Sequence, residues 1–247
     1  MNRSDAELAR RVATDTGDRL LEIRRDTSDA AEVRARGDRE ASDFLVGELR
    51  DHRPADSVVS EEEPDAAARL TAERVWIVDP LDGTREFGEP PRTDWAVHVA
   101  LWEQGVLVAG AVALPGLGQT YATDEPLELP PAREGKPRIA VSRTRPPEVV
   151  HRIAATLGAE LVPMGSAGAK VLAVLRGEAD IYLHGGGQYE WDSAAPVALA
   201  HAGGLHTSRL DGSPLTYNNP DLWLPDLLVC RPELAQLLLD ALATEAV

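Results

Sequence analysis

Val75-Trp76-Ile77-Val78-Asp79-Pro80-Leu81-Asp82-Gly83-Thr84 reads as a buried strand that ends in a carboxylate and runs into a tight turn. Val75 to Val78 form a continuous apolar run, which suits a strand covered on both faces. Pro80 has no N–H to give a ladder, so the strand is expected to stop at Asp79. Asp82-Gly83 then turns the chain. Two carboxylates three residues apart are thereby held at a strand edge beside free backbone N–H groups. Hard divalent cations take oxygen ligands of this kind, and phosphates take such N–H groups. The same residues also fit an ordinary loop with acidic side chains.

Further acids lie outward from this stretch. Glu61-Glu62 follow the short apolar strand Val58-Val59, and Trp191-Asp192-Ser193-Ala194-Ala195 lies far downstream, before Ala202-Gly203-Gly204. With Ser60-Glu61-Glu62, Asp79 to Thr84 and Trp191-Asp192-x-Ala194-Ala195 in this order, the chain resembles the inositol-monophosphatase-like family of metal-dependent phosphatases. Arg85-Glu86-Phe87 is similar to the 3′(2′),5′-bisphosphate nucleotidase, or CysQ-type, branch, which usually carries a basic residue, Glu and Phe there. The resemblance runs from Asp38 to about Asn218.

It implies an α/β fold, a layered αβαβα sandwich with an antiparallel-rich N-terminal half and an alternating α/β C-terminal half. It implies metal ligation by Glu61, Asp79, the Leu81 carbonyl, Asp82 and Asp192, and catalysis by Asp38 and Thr84. Glu61, Leu81, Asp82, Gly83, Thr84, Ser166, Lys170 and Asp192 are the expected substrate contacts. Ser166 and Lys170 enter through Gly165-Ser166-Ala167-Gly168-Ala169-Lys170, which is similar to a Gly-Ser-x-x-x-Lys segment of the nucleotidases; a small-residue helix start reads equally well. One departure is present: the family's longer Pro-Val-Thr loop before the catalytic Asp is replaced by Ala35-Arg36-Gly37.

Such a site is all oxygen, which selects Mg²⁺ or Mn²⁺ over zinc. Crowded carboxylates repel one another unless cations neutralise them. Asp79 can bridge two Mg²⁺ ions, with Glu61 serving one and Asp82 and Asp192 the other; the resemblance implies the same arrangement and allows a third, weaker ion near Asp38, where the shortened loop departs from the family. Two ions about 3.5–4 Å apart clamp an in-line displacement at phosphorus. The resemblance makes Asp38 the acid that helps activate an attacking water; Thr84 would pass that water's proton toward it, since a hydroxyl alone is a poor base. The Gly83 and Thr84 N–H groups hold the phosphate, where a Cβ at Gly83 would block approach. Asp38 and Asp192 each also read as plain helix N-caps, and Glu61-Glu62-Glu63 as a solvated turn. His184-Gly185-Gly186-Gly187 could pass near a base or sugar, or serve only as a strand end.

The expected reaction removes the 3′-phosphate of adenosine 3′,5′-bisphosphate, or of its sulfated relative, and belongs with sulfate assimilation. Lithium sensitivity and a homodimer are implied by the family alone. Two rivals stand beside it: an inositol phosphate or fructose bisphosphate phosphatase of the same family, and a metal-bound phosphometabolite sensor without turnover.

Composition agrees with a small anionic substrate met through cations. Of 247 residues, 25 are Lys or Arg and 41 Asp or Glu, a net charge of −16, which disfavours nucleic acid and anionic membranes as partners. Lysine occurs only as Lys136 and Lys170, and Cys230, the single cysteine, sits in an apolar run and reads as a core thiol. The N-terminal residues show no signal region and no apolar stretch is long enough to span a bilayer, so a cytoplasmic protein is expected.

Residues 1–124 read as an N-terminal metal-binding half and 138–247 as a C-terminal half, joined by a Pro-rich acidic linker over 125–137. In the first half a helix capped by Ser4-Asp5 runs to about Arg24, a loop follows over Thr27 to Gly37, and Asp38 opens a second helix. A short helix is expected over Pro64 to Thr71, then a hairpin of Trp95 to Trp102 and Val106 to Leu114, and a strand from Gln119 to Ala122. In the second half strands at Arg138 to Ser142, Glu160 to Pro163, Ala179 to Leu183, Leu205 to Leu215 and Leu227 to Cys230 alternate with helices. A glycine loop is expected over Gly185 to Gly187, and the helix near Asp192-Ser193 should carry Pro196 in its first turn.

Overall fold

The structure, a computed structural model, describes residues 4–27, 29–62 and 67–245. The chain opens with α1 (Asp5–Asp26), where the Ser4 hydroxyl and the Glu7 side chain cap each other's backbone N–H groups. Leu8, Val12, Leu20 and Ile23 form its buried stripe. The second helix, α2 (Ala30–His52), starts earlier than expected: Asp29 is its N-cap, accepting from Ala31 and Glu32 N–H. Residues 30–37 are therefore helical and Asp38 sits inside α2, with no capping role. Charged residues such as Arg34 and Arg36 are good helix formers, and Asp29 supplies the cap that the loop reading overlooked.

The first sheet contains β1 (Ser57–Ser60), β2 (Arg74–Asp82), β3 (Ala96–Glu103), β4 (Val106–Leu114) and β5 (Gln119–Ala122), in that spatial order. β1 and β2 pair in parallel, and the remaining neighbours are antiparallel. Gln104 and Gly105, at φ 47° and 97°, make the tight turn between β3 and β4. Glu63 and the first part of the helix expected over 64–71 lie outside the described residues; Ala67–Thr71 is a 3₁₀ turn. Between β2 and β3 lies the short helix α3 (Thr84–Phe87).

The second half adds β6 (Arg138–Ser142), α4 (Glu148–Leu157), β7 (Glu160–Met164), α5 (Ala167–Leu175), β8 (Ile181–Tyr189), α6 (Glu190–Ala202), β9 (His206–Ser208), β10 (Trp223–Cys230) and α7 (Ala235–Glu245). Its sheet runs β7-β6-β8-β10-β9. The strand expected over 205–215 is only three residues long, because Arg209 to Ser213 fold into a turn closed by the Arg209 N–H and the Ser213 carbonyl.

Three apolar cores define five layers. Val75 and Ile77 face a central core shared with α5 and α6, while Trp76 and Val78 face a second core under α1 and α2. A third core joins the outer face of the second sheet to α4 and α7. The continuous apolar run of β2 is thus explained by helices on both faces. Helices α5 and α6 are sandwiched between the sheets, which is why α5 is buried at all nine positions. Cys230 is fully buried, and burial pushes its thiol up to about 12. No helix among the described residues is long and apolar enough to cross a membrane.

Candidate active site

Strand β2 does not stop at Asp79. It continues to Asp82, and its register against β3 jumps from Asp79↔His98 to Asp82↔Ala96. Three residues of β2 advance while two of β3 do, which is a bulge, and Pro80 needs no ladder bond inside it. The bulge has a chemical consequence. Positions 79 and 82 would point to opposite faces of a regular strand. The extra residue re-aims the later side chain, so Asp79 and Asp82 meet Asp192 with one carboxylate oxygen each lying within 4.8 Å of the others.

Each carboxylate of this trio is held from behind. Asp79 Oδ1 accepts the Leu81 N–H at 2.9 Å. Asp82 Oδ2 accepts the Ser166 hydroxyl at 2.5 Å and the Gly168 N–H at 2.8 Å, and lies 3.2 Å from His98 Nε2. Asp192 Oδ2 accepts the Tyr189 N–H at 2.6 Å. Asp192 is thus the third residue of α6 rather than its cap, and Pro196 lies past the first turn, because the helix begins at Glu190.

The Asp38 carboxylate reaches the site from α2. Thr84 Oγ1 lies 3.1 Å from both Asp38 Oδ1 and the Leu81 carbonyl, so its one proton can be given to either. Gly37 makes this approach feasible. A Cβ there would lie 2.6 Å from Phe87 Cε1 and 3.0 Å from Leu81 Cδ2, so only a glycine lets α2 press against α3. Gly83, at φ +87°, makes the turn from β2 into α3 in a region L side chains rarely adopt.

Glu61, at the end of β1, is exposed at the cleft and is not among the three clustered acids. Crowding by surrounding protein, then the charges of Asp192 and Asp82, push its carboxyl up to about 7. Asp79 lies well above the carboxylate range, through complete burial and then the charges of Glu61 and Asp82. Burial and Asp82 raise Asp192 to about 6; burial and Glu62 raise Asp38 to about 6, against the Thr84 hydrogen bond. Asp82 goes the other way. Burial acts upward, but His98, Lys170 and the Ser166 hydroxyl outweigh it and hold the group at about 2.

A cleft of about 400 Å³ opens beside these acids, lined by Glu61, Asp82, Ser166, Lys170, His184 and Asp192 among others. Ser166 and Lys170 both reach it, but each is also tied to the protein. Ser166 holds Asp82 and accepts the Ala169 N–H, at a strained φ of 47°. Lys170 Nζ donates to the Gly165 and Ser166 carbonyls at 3.0 and 2.6 Å. The glycine run expected as a loop lies within β8, with Gly186 and Gly187 at positive φ, and His184 Nε2 is 2.9 Å from the Gly187 carbonyl.

Two residues of the site carried no motif. His98 is fully buried between Asp82 and the Trp191 carbonyl, 3.0 Å from its Nδ1, and so ties β2 to the start of α6. Its only sequence signal is a polar residue in an otherwise apolar strand. Glu190, also fully buried, accepts the Asn218 and Asn219 N–H groups and the Asn219 amide, fixing the loop that leads into β10. A Glu beside Trp191-Asp192 is the only hint of it in sequence.

Divalent cations suit this donor set. Asp79, Asp82 and Asp192 are buried or half-buried carboxylates close enough to share an ion, and burial, then the charge of neighbouring carboxylates, pushes Glu61, Asp79 and Asp192 upward. Such crowding is relieved by a bound cation and by little else.

A layered αβαβα fold with an all-oxygen acid cluster at the end of a central strand defines the class: a metal-dependent phosphoester hydrolase. The chain belongs to the inositol monophosphatase family, whose profile matches residues 5–245. It is 55% identical over 215 residues to a 3′-phosphoadenosine 5′-phosphate phosphatase of Mycobacterium bovis, covering 84% of this chain and 80% of that protein. A protein of the same name from Mycobacterium leprae is 49% identical over 250 residues, covering 96% and 92%. Among solved structures, CysQ from Bacteroides thetaiotaomicron superposes with a TM-score of 0.77 at 29% identity, over 92% of this chain and 97% of that one.

Proposed function

We propose that this chain is a Mg²⁺-dependent 3′(2′),5′-bisphosphate nucleotidase, which hydrolyses adenosine 3′,5′-bisphosphate to AMP and inorganic phosphate. The observation that carries the reading is the Thr84 hydroxyl placed 3.1 Å from Asp38 beside the Asp79–Asp82–Asp192 cluster. A protein that only senses a metal and a phosphometabolite needs the cluster but has no use for a route for the proton. The curated relatives at 49–55% identity supply the substrate.

Glu61, Asp79, the Leu81 carbonyl, Asp82 and Asp192 are the residues that would hold two Mg²⁺ ions, with a third near Asp38. Bound there, Mg²⁺ lowers the pKa of water and neutralises charge on the phosphoryl oxygens. The chain's own residues do the rest. Thr84 orients the attacking water and relays its proton to Asp38, whose carboxyl, raised to about 6, is a better base than an ordinary aspartate. The turn at Gly83–Thr84 presents backbone N–H groups to the phosphate. Lys170 sets a buried ammonium beside the cleft, suited to the second phosphate, and Ser166 keeps Asp82 in place. A place in sulfate assimilation, sensitivity to lithium and a homodimeric assembly accompany this reading as family properties.

The test is phosphate release from adenosine 3′,5′-bisphosphate, inositol 1-phosphate and fructose 1,6-bisphosphate in parallel, with Mg²⁺, with and without lithium. Strong preference for the nucleotide is expected, with lithium inhibiting. Equal or faster turnover of inositol or sugar phosphate would overturn the nucleotide assignment, and release from none of them would leave the sensor reading.

A further inference from the structure

Aromatic residues are scarce in this chain, at 4%, yet three of them gather on one wall of the cleft. Tyr189 and Trp191 stack face to face, with centroids 4.7 Å apart and planes at 11°. Trp223 is the direct cross-strand partner of Tyr189 in the β8–β10 pair. Tyr189 and Trp223 are each 47% exposed. Large aromatic surface left in water is costly unless something covers it.

The wall is built, and is not an accident of a loose loop. Trp223 lies so close to the backbone of Gly187 that a Cβ there would fall 2.4 Å from the indole Nε1. Gly187 also has φ +90°, so both its conformation and its lack of a side chain seat the indole. Glu190 binds the loop ahead of Trp223 through Asn218 and Asn219 and donates its N–H to the Leu222 carbonyl. Beside the aromatics, Gln188 is only 8% exposed and lines the cleft, and its Nε2 has no hydrogen-bond partner among the described residues. A buried amide without a partner points to a polar ligand.

We propose that Tyr189 and Trp223, with the Gln188 amide, form a nucleobase subsite. A base stacks on the exposed aromatic faces and presents a polar edge to Gln188. Position supports this. Tyr189 N–H holds the carboxylate of Asp192, so the wall begins at the acid cluster itself. A phosphate bound at the cluster leaves its organic group against these rings. A neutral aromatic base also suits a wall beside so many carboxylates better than an anionic group would. The inference deepens the nucleotidase reading, and makes this wall the feature that separates a nucleotide from inositol or sugar phosphates.

Binding tests the subsite apart from turnover. Quenching of tryptophan emission, backed by calorimetry, is measured with Mg²⁺ for AMP and for ribose 5-phosphate, which share a phosphate and differ by the base. The wild-type protein is expected to prefer AMP at least about tenfold, and Tyr189→Leu and Trp223→Leu each to lower that preference about tenfold, in line with base–aromatic stacking. Gln188→Met, of similar volume, is expected to lower it severalfold with the fold intact by circular dichroism. Equal affinity for the two ligands in the wild type would overturn the subsite, as would variants that weaken both ligands by one factor. Preference for AMP without hydrolysis of the bisphosphate would uphold the subsite while removing the nucleotidase reading. Hydrolysis of the bisphosphate with the variants' AMP preference intact would do the reverse, and leave the aromatic wall to a macromolecular partner.

Discussion

Asp79 and Asp82 are three positions apart and carry opposite electrostatic burdens. Asp79 is buried among like charges with one N–H for support, whereas Asp82 gathers a hydroxyl, an N–H and a histidine on one oxygen. Asp79→Asn is expected to lower kcat by at least about a hundredfold at saturating Mg²⁺, because a carboxylate of the acid cluster is lost. It should also raise the melting temperature of the metal-free protein at alkaline pH, because an acid that burial and its neighbours make costly to ionise is removed. Unchanged turnover would refute the cluster. His98 acts through Asp82. His98→Ala is expected to raise half-saturating Mg²⁺ about tenfold, within the range seen when a partner of a metal ligand is removed. His98→Asn, which keeps a donor, should recover part of that loss in a calorimetric metal titration. Both Asp residues were legible in sequence, because a strand followed by Pro and Gly announces an exposed end. His98 was not, because its importance comes from a carboxylate 16 positions earlier that only the β2–β3 pairing brings near.

At the scale of elements, α2 is the least predictable piece and the most consequential. The polar stretch from Thr27 to Gly37 reads as loop, whereas the helix starts at Ala30 and runs through Gly37. Packing decides the matter: the glycine is required by the ring of Phe87, not by a turn. Gly37→Ala is expected to cost about 1–3 kcal/mol through overpacking. It should also push Asp38 away from Thr84 and lower kcat about tenfold, with the Mg²⁺ dependence retained; thermal melts and steady-state kinetics check the two effects separately. A variant as active as the wild type would show that the Asp38–Thr84 contact tolerates a displaced helix. The glycines at the end of β8 teach the same lesson. Their left-handed φ values suggest a loop, but they lie in a paired strand where Trp223 takes the space of a side chain.

The molecule gathers Asp38, Glu61, Asp79, Asp82 and Asp192 at one site on top of a net charge of −16. Asp38, Glu61, Asp79 and Asp192 are all raised above their values of 3.8 or 4.5 in the unfolded chain. Each therefore binds its proton more tightly when folded. The metal-free protein gains that stability below about pH 4 and loses it as the pH rises through 6 to 7. Its melting temperature is expected to fall by on the order of 5 °C between pH 5 and pH 8 on this account, and Mg²⁺ should cancel most of the fall. A metal-free melting curve flat across that range would contradict the electrostatics of the cleft. The α/β layering was readable from apolar periodicity with Pro and Gly punctuation, and the acids from the family resemblance that three ordered motifs carry. How Asp79, Asp82 and Asp192 converge, how His98 and Ser166 hold Asp82, and how three aromatics meet beside Asp192 were decided by tertiary structure. A bulge, a cross-strand register and a helix pressed onto a glycine are relations between distant segments, and no local pattern encodes the space where they meet.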